Sequence, residues 1–126
     1  MPRLFLALTG IAFCASTSAL SAQAVESGYE RGTLAVAAIE RGDWARAEQL
    51  LTDKRLNADD PARLINLGQV YWAQGRQGEA LGAWRRALAS GSHFEVETLG
   101  GRLVSTETLA REMLAARDAA LRTAAR

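Results

Sequence analysis

The sequence predicts an all-α chain: two antiparallel helix pairs, stacked, with a short C-terminal segment closing the stack. Three observations carry this. The chain matches itself when shifted by about 33 residues, roughly the length of one helix–turn–helix unit. Gly42 and Gly75 recur at that step, each where a helix must stop, because Gly takes the left-handed conformation without a Cβ clash. Pro occurs only as Pro2 and Pro61, which leaves long stretches free to be helical.

The composition is compatible with this. A chain of 126 residues is one folded unit's worth. Its 48% hydrophobic content excludes wholesale disorder. Its mean hydropathy of −0.07 excludes a multi-span membrane protein. The net charge is only +1, so a nucleic-acid partner is not expected.

Residues 1–24 read as a secretory signal peptide. Arg3 is followed by an apolar run from Leu4 to Ala15, shorter than the ~20 residues a spanning helix needs. Small residues then lead to Ala22-Gln23-Ala24, which suits signal peptidase. The expected destination is the periplasm of a bacterium. An uncleaved anchor or a buried N-terminal helix is the alternative. Cys14, the single cysteine, offers another: a membrane-attached lipoprotein, though Phe13 is too large for that motif. Otherwise no membrane partner is expected of the mature chain. Cleavage after Ala24 removes Cys14, and with it any disulfide, thiolate or cysteine-based zinc site. It also removes Arg3, leaving the basic residues equal to the 14 acidic ones.

Residues 25–91 hold the two units, about 27–57 and 60–91. The first helix opens at Ser27 with Glu30 completing a capping box, and runs to about Arg41. Its partner runs from Trp44 to about Lys54. The third helix opens at Asp60-Pro61, an acidic N-cap with Pro at N1, and runs to about Gln74. The fourth runs from Gln77 to about Ala89, with Arg85 and Arg86 suiting the dipole of its last turns. The pairs Ala35/Gly68 and Ala47/Ala80 are small, as helices that cross closely require. Gly78 and Gly82 cost about 1 kcal/mol each relative to Ala, and a close neighbouring helix would explain them. Trp44 and Trp84 are expected in the core between helices.

Residues 92–126 do not repeat. Phe94 to Leu99 alternates apolar and polar, Gly100-Gly101 is a turn dipeptide, and Arg102-Leu103-Val104 returns. A β-hairpin over 94–104 is one reading and an irregular loop the other. Ser105 or Thr106 then caps a helix over 106–124. Its apolar stripe is Leu109, Met113, Ala116 and Ala120, widened by Leu114 and Leu121. Stacked helix pairs expose an apolar face at their ends, so this segment is expected to act as a cap.

The second unit carries Leu67-Gly68, Tyr71, Gly75, Ala80, Trp84 and Ala87 at a characteristic spacing. In this it resembles the tetratricopeptide repeat family. The first unit is more degenerate: it keeps Leu34, Ala35, Gly42, Ala47 and Leu51, but Ala38 stands in place of the tyrosine and Lys54 in place of the last alanine. The resemblance implies a short right-handed solenoid with a concave peptide-binding groove. Projected onto this chain, the groove is lined by Tyr29, Val36, Ile39 and Glu40, then by Ile65, Gln69, Trp72 and Ala73. Asn66 and Gln69 would offer amide hydrogen bonds to a bound segment. Trp72 has two readings, a groove anchor or packing under the C-terminal helix.

No catalytic constellation is evident. His93 is the lone histidine and lacks a partner for zinc or nucleophilic catalysis. Glu95 and Glu97 share one strand face and read as solvated. Gly75-x-x-Gly78 and Gly100-Gly101 are not phosphate loops, and Asp53, Asp59 and Asp60 lack calcium-loop spacing. Neither cofactor nor metal is expected. The expected role is an exported, non-enzymatic protein–protein interaction module binding a protein or peptide. A self-assembling subunit or homodimer is the alternative.

Overall fold

The computed structural model describes residues 34–126. The signal-peptide reading, Cys14, the Ser27 capping box and Tyr29 lie outside the described residues. Within them the chain is mostly helical, with one small two-stranded sheet. None of these helices is long and apolar enough to cross a membrane.

The first described helix, α1, spans Val36–Glu40. A continuous helix through to Arg41 does not form, because Ala35 is left-handed at φ 55°. Leu34 therefore leaves the helical ladder, and its carbonyl accepts a hydrogen bond from Asn66 Nδ2 at 3.0 Å instead. The helix stops at Gly42, whose φ of 69° is left-handed. Next, α2 spans Trp44–Leu51, with Asp43 accepting from the Arg46 N–H at its start. It ends three residues before Lys54. Thr52 Oγ1 donates back to the Glu48 carbonyl, a local bond that competes with further helix.

Helix α3 spans Pro61–Ala73, and Asp60 caps it by accepting from the N–H groups of Ala62 and Arg63. Gly75, at φ 78°, turns the chain into α4, Gln77–Leu88. Both glycine turns thus follow the expectation from sequence. The expectation for Gly78 and Gly82 does not hold: a Cβ at either would meet nothing within 4 Å. Arg85 and Arg86 lie in its last turn as expected, and Arg86 also reaches the Ala58 carbonyl and Asp59.

The hairpin forms. Strand β1, Glu95–Glu97, pairs antiparallel with β2, Leu103–Ser105, in a register that sets Val96 against Val104. The turn is longer than Gly100-Gly101 alone, since the Gly101 N–H bonds the Thr98 carbonyl. Gly101 takes a left-handed φ of 77° there. Helix α5, Thr106–Ala124, is capped by Ser105 accepting from the Thr108 N–H. His93 bridges the end of α4 to the start of α5. Its ring nitrogens lie 3.2 Å from the Leu88 carbonyl and 3.2 Å from Thr106 Oγ1.

Three apolar clusters hold these elements together. Ala35, Ala38, Ile39, Ala47, Leu51, Leu67 and Val70 join α1 and α2 to α3. Ala62, Leu64 and Ile65 of α3 share a second cluster with Leu34, Ala87, Val96, Val104, Leu109 and Ala110. Ala80, Trp84 and Met113 form a third between α4 and α5. The hairpin and the first half of α5 are thus part of the core. The expected α5 stripe holds only as far as Met113, since Ala116 and Ala120 are exposed. The half-buried line continues through Leu114, Arg117 and Leu121.

Candidate interaction site

The groove expected from sequence is largely filled by the chain itself. Ile65 and Asn66 are fully buried, and Ile39 nearly so. Ile65 shares its cluster with the hairpin valines and with Leu109 and Ala110. Asn66 spends its amide on Leu34. These three are therefore core residues and offer no surface to a partner. The reasons differ: Asn66 bonds the residue before Ala35, Ile39 is enclosed between α1, α2 and α3, and the C-terminal segment lays its apolar residues over Ile65. Val36 is half-buried against that same cluster, and Glu40 is exposed on α1. Ala73 is exposed at the end of α3.

Gln69 and Trp72 remain at the surface, one helical turn apart on α3, both half-buried. Trp72 leans on Trp84, with ring centroids 6.1 Å apart and a tilt of 35°. Its other neighbours are the α4–α5 cluster and Arg117, whose guanidinium carbon lies 5.0 Å from the ring centroid. Trp72 therefore packs beside the C-terminal helix, one of its two expected readings, while keeping part of its ring exposed. Arg117 is not legible as a site residue by composition. Its spacing gives a signal: it stands four residues after Met113 and four before Leu121, where the helical period calls for an apolar residue. Arg117 is half-buried there, with its guanidinium beside the Trp72 ring.

Two buried side-chain atoms of these residues have no hydrogen-bond partner among the described residues, Gln69 Oε1 and Arg117 Nε. One is an acceptor and the other a donor. Neither side chain would break a hydrogen bond of that atom by turning outward, and an unpaired buried polar atom costs about 1–3 kcal/mol.

A second polar centre lies at the α2–α4 side. Arg76 pairs with Glu48 at 2.8 Å and with Glu79 at 2.7 Å, and its guanidinium covers the Tyr71 ring at 4.3 Å. Hydrogen bonds from Arg76 first, and Gln74 second, hold the Glu48 carboxyl below its ordinary range. Burial, with the Glu48 charge behind it, pushes the Tyr71 phenol up. These groups are mutually satisfied, so they pin the α3–α4 turn to α2. Glu95 and Glu97 are exposed on β1. Among the described residues, no group of His, Cys, Asp and Glu is arranged to hold a metal ion. Comparison of the chain with known protein families, curated proteins and solved structures finds no match.

Proposed function

We propose that this chain is a protein-interaction module that takes a partner's segment across Gln69, Trp72 and Arg117. The observation that carries the reading is an unsatisfied acceptor on Gln69, one turn before Trp72 on α3, and an unsatisfied donor on Arg117, whose guanidinium lies over the half-buried indole. A peptide backbone supplies the matching N–H and C=O, and the indole supplies contact area at low entropy cost. The likeness of residues 60–91 to a tetratricopeptide repeat points the same way. The first unit then serves as a neighbouring wall, with Glu40 the charged position on its helix. The character of residues 1–24 supports export, with the periplasm as the working compartment. The role is binding, without chemistry on the bound segment.

Selection of peptides from a random library on the folded chain tests this. Selected peptides should lose about tenfold or more in affinity for Trp72→Ala, the loss expected of an interface anchor. Arg117→Met keeps an unbranched apolar side chain at this place on α5, beside Trp72, and should weaken the same peptides while leaving the melting curve unchanged. Peptides that bind both folded variants as well as the parent would overturn the assignment, as would a library that yields no binder.

A further inference from the structure

A separate cleft of about 220 Å³ opens where the end of α2 and the α2–α3 loop meet α3 and α4. Its apolar walls include Leu51, Leu64 and Leu67, and its charged walls are Arg63 and Arg86. Arg63 is only 7% exposed. That is unusually low for a guanidinium. It donates to the backbone carbonyls of Asn57 and Asp53, and its Nε has no partner among the described residues. The acids nearest in field are engaged elsewhere. Asp53 is held by Arg55, and Asp60 caps α3. Burial first, and the like charge of Arg86 with it, holds Arg63 below the ordinary guanidinium range. Arg86 pairs with Asp59 at 2.9 Å, but that carboxylate is 80% exposed. Such a pair is weak and easily exchanged.

We infer that this cleft binds an amphiphilic anion, a carboxylate on a short apolar chain. The carboxylate would lie between Arg86 and Arg63, displacing Asp59 from Arg86, and the chain would lie on Leu67 and Tyr71, with Leu51 and Leu64 buried behind them. Two guanidinium groups beside an apolar floor recognise that combination: charge-assisted bonds fix the head, and burial rewards the tail. The volume suits one aliphatic side chain, so the ligand is either a free short-chain acid or the terminal residue of a peptide.

Arginine side-chain N–H signals in the full-length protein report the site directly. Hexanoate should shift the Arg63 and Arg86 signals with saturation, and hexanol should not. A tripeptide ending in Leu distinguishes the sources. If it shifts the same signals and its C-terminal amide does not, while hexanoate is inert, the head group is a peptide terminus. Arg86→Gln removes an exposed side chain and should retain the fold while weakening the ligand about tenfold, the loss of one charge-assisted hydrogen bond. No shift from any of the acids overturns the proposal. So do equal shifts from hexanol, or shifts shared by all arginines. If Arg86→Gln binds as tightly as the parent, the assignment of the head group to these two arginines fails.

Discussion

The indole of Trp84 occupies the volume that a side chain at residue 68 would need. A Cβ built on Gly68 would stand 2.6 Å from Trp84 Cε2 and closer still to Nε1, and that nitrogen donates to the Ile65 carbonyl at 3.0 Å. Glycine here lets α3 and α4 touch through one ring. Gly68→Ala should therefore destabilise the protein by about 3 kcal/mol despite alanine's better helix propensity. Chemical denaturation measures it, and an unchanged midpoint would show that α4 can shift to admit the methyl group.

Asn66 ties α3 to the residue that precedes α1 and Ala35, across 32 positions of sequence. Replacing it with alanine leaves the Leu34 carbonyl without that donor inside the core. The expected loss is about 2 kcal/mol. Amide exchange should quicken at Val36–Glu40 more than in α5, because the bond restrains the first helix specifically.

Acid should weaken the attachment of α2 to the α3–α4 turn. The folded Glu48 carboxyl sits below its ordinary value of 4.5, chiefly through Arg76. Such a group stabilises the fold above 4.5, and that contribution disappears as pH falls through the lowered folded value. Glu48→Gln should cost up to about 1 kcal/mol at neutral pH, in keeping with a partly exposed pair. Denaturation midpoints of parent and variant should converge on acidification. A constant gap between them would assign the effect to packing.

Leu109 tests whether the C-terminal segment is core or appendage. It is fully buried with Ala62, Ile65, Val96 and Val104. Leu109→Ala should cost about 3 kcal/mol, and removal of residues 94–126 should leave a chain that melts without cooperativity. A truncated chain with a sharp transition would show that the two helix pairs suffice alone.

Much of this architecture is legible in the sequence because local chemistry and global packing agree. Gly42, Gly75 and Asp60 mark helix ends by conformational rules that need no tertiary contact. Alternation around Val96 suggests a strand but leaves hairpin and loop open, and the pairing with Val104 decides between them. The departures come from long-range competition. Ala35 is left-handed although alanine is the best helix former, while the carbonyl before it bonds Asn66. The repeat pattern misplaces the groove at Ile39, Ile65 and Asn66, because it describes a unit with a free concave face. Here the following segment covers Ile65, while α2 and α3 close over Ile39 and the Leu34 carbonyl takes the Asn66 amide. Arg63 is invisible for a related reason: nothing local distinguishes a guanidinium turned onto carbonyls from one in solvent.

The seam between hairpin and last helix joins two parts of the core. The Thr106 N–H donates to the Phe94 carbonyl at 2.9 Å, so β1 and α5 enter the core as one piece. Duplication of a helix pair, inserted after Ser90, would separate that piece from Ala62 and Ile65 and require the new pair to supply equivalent partners. The hairpin and α5 thus act as a keystone: a copied helix pair placed before them would have to rebuild their contacts for the core to close.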